Sequence, residues 1–298
     1  VWPFSGRVSE LAAIRSAERG IVVAGPPGAG KSRLVAEAVN GQADARQPAW
    51  VRATEAAAEL PLGAFAPLLP EEPPEGNPLG WAAAAITAPL LVVDDAHLLD
   101  SASAALLHHL VTHRRTTVVA TVRTQTDAPD AVRALWKDDL LPRLDLGPLT
   151  ETETGELLAR ALGGSVDPAA TARMWRVSGG NALYVRELVL SGAMERAGEV
   201  WRWRGTWSMT PSLRDTIASR IGRVTGDERE VLEFLAYGEP LGADLLARLS
   251  AEEAVERLED RQLVAVEQDG RRLRVRLAHP LYGEVIRSGC GVLRSRAR

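Results

Sequence analysis

Thiols are all but missing from this chain: Cys290 is its single cysteine. An internal disulfide framework is therefore excluded, and a reducing compartment suits the composition. Long apolar runs are missing too. The longest apolar piece, Gly80 to Val93, is broken by Pro89 and is shorter than the about 20 residues that a membrane-spanning helix needs. No basic region followed by an apolar core stands at the N-terminus, so the expectation is a cytoplasmic protein with no membrane partner. Neither sign of charge dominates. The net charge is −4 at pH 7, too mild for the chain as a whole to bind a polyanion. Lysine is scarce, and there is no repeat or low-complexity segment. The 298 residues, 46% of them apolar, can bury a sizeable core and suggest two or three compact units.

The first half reads as strands alternating with helices. Strands are expected at Gly20 to Ala24, Ala49 to Ala53, Leu90 to Val93, Thr116 to Val122 and Leu144 to Leu146, with helices at Lys31 to Val39 and Ser101 to Val111. The proline-bearing stretch Leu60 to Pro78 reads as a loop. Such interleaving predicts an α/β fold, a parallel sheet with helices on both faces. After Pro148 the pattern turns helical: Thr152 to Leu162, Ala169 to Val177 and Leu183 to Leu190. The stretch VWRWRGTW, from Val200, reads as a small hairpin whose Trp201, Trp203 and Trp207 cover an apolar patch. Helices return at Leu213 to Ile221, Asp227 to Ala236 and Glu252 to Asp260. Leu263 to Val266 and Arg272 to Leu277, joined by Asp269-Gly270, then form a hairpin, so that this region resembles a winged helix. The expected organisation is 1–148 for the sheet domain, 149–210 for a helical subdomain with the Trp-rich hairpin and 211–285 for the winged helix. Residues 286–298 begin a further helix.

The chemistry is concentrated at the sheet. AGPPGAGKSR, Ala24 to Arg33, contains the full phosphate-loop pattern G-x-x-x-x-G-K-[ST] between a strand and a helix. Its glycines turn backbone N–H groups inward, the helix N-terminus adds partial positive charge, and Lys31 reaches the β- and γ-phosphates, with Ser32 a ligand for Mg²⁺. In LLVVDDAH a buried strand delivers two carboxylates to the C-terminal edge of the sheet, where ligands of such sheets bind. Asp94 is the expected Mg²⁺ partner through water, and Asp95 the group that polarises an attacking water. His97 is either functional or a surface-loop histidine. Arg123, at the end of the third strand, is a candidate γ-phosphate sensor or the partner of a nearby carboxylate.

FSGRVSEL, the phosphate loop, LLVVDDAHLLD, ATVRT, SGGNALYVREL and LAHPLYGEV stand in the order found in STAND-class ATPases. More narrowly, the chain resembles the nucleotide-binding core of the large ATP-binding LuxR-type (LAL) bacterial transcription regulators over nearly its whole length. The resemblance implies that the Phe4 to Leu11 segment, with Phe4, Gly6 and Arg7, lines the adenine side. It adds His279, in the winged helix, as the group that senses the β-phosphate of ADP; a histidine that merely fixes the Pro280 turn is the alternative. Ala182 replaces a proline of the family's Gly-Gly-Asn-Pro-Leu element. The implied nucleotide site thus comprises Phe4, Gly6, Arg7, Pro26, Gly28, Ala29, Gly30, Lys31, Ser32, Arg33 and His279, for ATP or ADP with Mg²⁺. Such regulators continue into a helical-repeat sensor arm and a DNA-binding helix-turn-helix, which implies that this chain is a fragment whose DNA contact lies in a missing C-terminal domain. The expected function is a switch: closed with ADP, self-associating with ATP, and reset by slow hydrolysis. The competing expectation is an AAA+-like ATPase whose winged helix grips DNA. Against it stand Glu252, Glu253, Glu256, Glu259 and Asp260 in the helix that would enter a groove. Arg271, Arg272, Arg274 and Arg276 on the hairpin, and Arg287, Arg294, Arg296 and Arg298 near the end, read as solvated faces.

Overall fold

A computed structural model of the protein describes residues 2–40, 48–71, 76–113, 115–124, 126–205, 209–270 and 272–290. The chain divides into two compact units, one over residues 3–148 and one from 149 onward.

The first unit contains α1 (Val8–Ser16), β1 (Gly20–Gly25), α2 (Lys31–Asn40), β2 (Ala49–Arg52), α3 (Pro78–Ala85) and β3 (Leu90–Asp94). It is completed by α4 (Ser101–Thr112), β4 (Thr117–Arg123), α5 (Asp130–Lys137) and β5 (Arg143–Asp145). Its five strands form one sheet in the order β2-β3-β4-β1-β5, and every pairing is parallel. The period-two alternation of each strand sends residues to opposite faces. Ile21, Val23, Val92 and Val119 pack with Leu34, Val35 and Ala38 of α2 and Ile14 of α1. Val22, Ala24, Leu91, Val93, Val118 and Ala120 pack on the other side with α3, α4 and α5. Both faces are therefore covered by helices, which explains strands that are apolar at successive positions. The expected parallel α/β sheet of a P-loop fold is present.

The stretch expected to be a loop from Leu60 is partly ordered into a 3-10 turn over Gly63–Leu68 that buries Phe65 completely. Asp100 anchors it. This carboxylate caps α4 through the N–H groups of Ala102 and Ser103 and accepts the Leu62 N–H at 3.2 Å. Burial of the Phe65 ring and the Leu62 N–H bond to Asp100 together offset part of the backbone entropy that ordering the turn costs.

The second unit runs through α6 (Glu151–Leu162), β6 (Ser165–Val166), α7 (Pro168–Ser178), α8 (Ala182–Leu190), β7 (Met194–Ala197), β8 (Val200–Trp203) and α9 (Pro211–Ile221). It continues with α10 (Gly226–Gly238), β9 (Leu241–Gly242), α11 (Ala243–Leu249), α12 (Glu252–Asp260), β10 (Val264–Asp269), β11 (Arg272–Leu277) and α13 (Pro280–Gly289). VWRWRGTW does not make a hairpin by itself. Its first half is β8, whose antiparallel partner is the preceding strand β7, because Gly198, at φ 67°, supplies the turn earlier in the chain. Trp201 and Trp203 pack partly buried against the core of the unit, and the Arg173 guanidinium lies 5.0 Å from the Trp203 ring centroid. They cover an apolar surface; Trp207 lies outside the described residues. One core of Leu157, Leu158, Met174, Leu188, Leu213, Ile217, Val231, Leu235, Leu258 and Val275 runs through all these helices. Helix α13 begins at Pro280, where His279 caps it, and takes in the start of the stretch 286–298 expected to begin a further helix; residues 291–298 lie outside the described residues.

Glu228 ties α10 to α12. Thr225 and Glu228 form a reciprocal capping box at the start of α10. The same carboxylate receives Arg257 at 3.2 Å and Arg261 at 3.1 Å with its side chain 5% exposed. Burial pushes its pKa up, but the Thr225 N–H and the two guanidinium groups outweigh burial and hold it below the ordinary glutamate value. Glu228→Ala removes the cap partner and the carboxylate shared by two part-exposed arginines, so it should destabilise the chain by about 1–2 kcal/mol. Because the folded pKa is depressed, this carboxylate's stabilisation is present above the ordinary glutamate pKa and is lost as the pH falls through its lowered value. Denaturant unfolding at pH 7 and at pH 3 should show the gap between parent and variant narrowing in acid.

Candidate nucleotide-phosphate site

β1 ends at Gly25, and α2 begins at Lys31. The intervening loop has Gly28 at φ 78° and Gly30 at φ 94°, conformations that side chains resist and that let the backbone curl. A Cβ on Gly25 would lie 2.7 Å from the Leu146 carbonyl oxygen, so that position is fixed by close approach. Ala29 is buried, and Lys31, only 6% exposed, folds back along the loop. Its Nζ donates to the carbonyls of Gly25 at 2.9 Å and Pro26 at 3.1 Å. An ammonium group thus lies within the curve of a loop that opens a helix, an arrangement suited to an anion.

Ser32 and Asp94 meet beside it. Ser32 Oγ donates to Asp94 Oδ1 at 2.7 Å, and Thr121 Oγ1 donates to the same oxygen at 2.6 Å. Arg52, on β2, reaches to 3.9 Å from Asp94 Oδ2. Among the described residues no group of three or more His, Cys, Asp or Glu is placed to hold a metal ion by itself. One hydroxyl and one carboxylate in contact are nevertheless the donor set that suits Mg²⁺, which retains waters and takes phosphate oxygens.

Asp95 follows in a left-handed conformation, φ 55° and ψ 43°. Its N–H donates to Thr121 Oγ1 at 2.8 Å, so Thr121 fastens both carboxylate residues to β4. The Asp95 side chain is 29% exposed, with Arg123 Nε 3.8 Å from its Oδ1. Arg123 therefore has the carboxylate neighbour that was its alternative reading, while 41% of its side chain stays exposed. His97 is no surface-loop histidine: its side chain is fully buried. Nδ1 accepts the Arg123 N–H at 3.4 Å and lies 3.9 Å from Asp95 Oδ1. Nε2 is buried without a hydrogen-bond partner among the described residues. Burial holds the pKa of His97 below its ordinary value, against the pull of Asp95.

Other expected residues are engaged differently. Arg7, at φ 59°, donates to Glu10 Oε1 at 2.8 Å and to the Gly147 carbonyl at 2.6 Å, so its guanidinium ties the first helix to the strand leaving β5. Gly6 is at φ 71°, and Phe4 packs partly buried on the α1–α2 side of the sheet. The Arg33 side chain lies along α2 opposite Glu37 at 3.6 Å. His279 caps α13: Nδ1 accepts the Leu281 N–H at 3.1 Å, and Nε2 contacts the Ser178 carbonyl at 2.9 Å. With Nδ1 an acceptor, the imidazole is neutral and Nε2–H is the donor. Tyr184 stands edge-on at 4.7 Å between ring centroids, and a Cβ on Gly179 would come within 3.0 Å of Nε2. Burial holds the pKa of His279 low, against the Ser178 bond. The role of fixing the Pro280 turn is thus visible. Gly179 and Asn181 likewise have local work, as the left-handed end of α7 and the side-chain cap of α8.

No protein-family model and no curated protein matches this chain. Solved structures similar to it include the Signal Transduction ATPase with Numerous Domains (STAND) protein with a tetratricopeptide repeat sensor from Pyrococcus horikoshii. That match has 20% identity over 98% of this chain and 43% of that one, with a TM-score of 0.45. The ORC1 protein of Aeropyrum pernix, in complex with DNA, is 16% identical over 99% and 95% of the two chains, with a TM-score of 0.47. The RuvB Holliday junction branch migration motor of Thermotoga maritima is 18% identical over 91% and 92%, with a TM-score of 0.44. This chain spans less than half the length of the STAND protein. At these identities and scores the likenesses assign no role to any residue, and the reading of the site rests on its own geometry.

Thr121→Val removes both hydroxyl bonds in a fully buried position and should cost about 1–3 kcal/mol, measured by denaturant unfolding against Thr121→Ser, which retains the hydroxyl. The two buried histidines set a pH dependence. With folded pKa values below the ordinary 6.5, the unfolded chain binds protons that the folded chain refuses, so stability falls as the pH drops below that value. Melting temperatures from pH 7.5 to 5.5 should decline, and less steeply in His279→Asn, which keeps a capping acceptor.

Proposed function

We propose that this chain is an adenine-nucleotide-controlled switch of the STAND type, the nucleotide-binding core of a LAL-like transcription regulator. The observation that supports it most directly is the convergence of Lys31, Ser32, Asp94, Asp95 and Arg123 around the phosphate loop at the C-terminal edge of a parallel sheet. The glycine loop and Lys31 take the phosphates. Ser32 and Asp94, in contact at 2.7 Å, would hold Mg²⁺, which when bound would supply positive charge to the phosphate oxygens. Asp95 accepts a hydrogen bond from a water whose oxygen replaces the β–γ bridging oxygen on the γ-phosphorus, giving ADP and phosphate. Arg123 exchanges Asp95 for the γ-phosphate and so distinguishes ATP from ADP. For His279 to sense the ADP β-phosphate, Nε2–H must exchange the Ser178 carbonyl for a phosphate oxygen, a trade that loosens the α7–α13 connection. Self-association in the ATP state and DNA contact through a further C-terminal domain complete the reading, as does the absence of a guanine-specifying Asn/Thr-Lys-x-Asp motif.

The alternative, an AAA+-like ATPase that grips DNA through a winged helix made of α11, α12 and the β10–β11 hairpin, meets an electrostatic objection. Arg257 of α12 and Arg261, which follows the helix, are turned to Glu228. The exposed side of α12 keeps Glu253, Glu256, Glu259 and Asp260. On the hairpin Arg274 pairs with Asp269 at 2.8 Å and Arg276 with Glu267 at 2.6 Å. Two of the hairpin's arginines are thus matched by carboxylates, which lowers the positive field that it offers a duplex.

The chain purified without added nucleotide and then denatured should release stoichiometric ADP, identified by chromatography, and His279→Ala should release less. Lys31→Ala should weaken ATP and ADP binding alike by about a hundredfold, as expected for losing a charge-assisted phosphate contact. A parent that is empty, turns ATP over steadily and binds duplex DNA with a steep salt dependence would replace the switch by the alternative.

A further inference from the structure

Resting on the switch reading, we propose that His97 is a positioning residue: it fixes the backbone of Arg123 beside Asp95, and through that pair it sets the preference of the site for a triphosphate over a diphosphate. The geometry singles this residue out. Its side chain is fully buried in the short turn Ala96–Leu98 directly after Asp95, a place where leucine would fill similar space and leave no polar atom unmet. What leucine lacks is an acceptor, and His97 uses Nδ1 as one, for the Arg123 N–H at 3.4 Å.

The consequence reaches the phosphate loop. Arg123 lies opposite Gly25 in the β1–β4 register, and the next residue, Thr124, donates its N–H to the Gly25 carbonyl at 3.3 Å. The strand end that His97 holds is therefore bonded to the first glycine of the loop. Because Nδ1 accepts from Arg123, it carries no proton and gives none to Asp95 Oδ1, 3.9 Å away. That oxygen is left facing the Arg123 guanidinium, whose Nε is 3.8 Å distant, beyond hydrogen-bond length. The guanidinium is attracted to Asp95 but not fastened, while its backbone is fastened by His97. A cation on a fixed stem with a loose head can change partner when a γ-phosphate arrives and return when it leaves. ADP offers no such partner, so the stem matters for ATP and not for ADP.

The test measures ATP·Mg²⁺ and ADP affinities by calorimetry for the 298-residue chain and its Lys31→Ala, His97→Leu, His97→Asn and His97→Gln variants. Melting temperatures are recorded alongside. His97→Leu should weaken ATP about tenfold while ADP stays within about twofold, the effect of freeing one backbone anchor of a charged contact. His97→Asn, whose side-chain oxygen can stand near the Nδ1 position, should keep the ATP-to-ADP ratio of the parent. His97→Gln, whose amide reaches toward Nε2 instead, should lose it. Equal weakening of both nucleotides in step with the melting temperature would make His97 a packing residue and overturn the inference, with nucleotide binding intact. If leucine prevents folding, identical ratios for asparagine and glutamine overturn it equally. A parent that binds neither nucleotide, or a Lys31→Ala variant that binds both as well as the parent, removes the switch reading itself and the inference with it.

Discussion

One carboxylate oxygen organises the site. Asp94 Oδ1 receives the hydroxyl of Ser32, from the first turn of α2, and the hydroxyl of Thr121, from the middle of the sheet. Three segments far apart in sequence are joined at an atom that is nearly excluded from solvent. A buried carboxylate is tolerated only when its lone pairs are satisfied, and here the satisfying groups belong to the loop and the strands that would hold a nucleotide. The requirement to solvate Asp94 from within therefore also sets the spacing between the phosphate loop and the acidic strand end.

Thr121 extends this arrangement by one residue. Its oxygen donates to Asp94 and accepts from the Asp95 N–H, which holds Asp95 in a left-handed conformation that aspartate adopts at modest cost. The carboxylate of Asp95 is consequently turned away from the strand, toward Arg123 and solvent. Two adjacent acids thus have different surroundings: Asp94 is enclosed by hydroxyl donors, and Asp95 is partly open beside a loose guanidinium. Division of labour between neighbouring carboxylates follows from such a difference in environment.

The second unit is tied together by polar groups that join its helices. Glu228 gathers Arg257 of α12 and Arg261 at its C-cap onto the cap of α10, and His279 joins the start of α13 to the end of α7. Each is a buried polar junction whose release costs the bond and leaves a donor or acceptor unmet. His279 makes its junction through two bonds, to the Ser178 carbonyl and from the Leu281 N–H.

Much was legible in the chain itself. The strand–loop–helix around Lys31, the two acids after LLVV and the parallel sheet follow from periodicity and from the glycine spacing, because these are local demands: a curled loop needs positive φ, and a doubly covered strand needs uninterrupted apolar residues. Contacts across sequence were not legible. That Arg7 reaches Gly147, that the tryptophan strand pairs backward with β7, and that His97 is buried against Arg123 depend on which groups the packed chain brings within a few ångströms. Local pattern sets the backbone's conformation, and only the closed core decides which polar group reaches which partner.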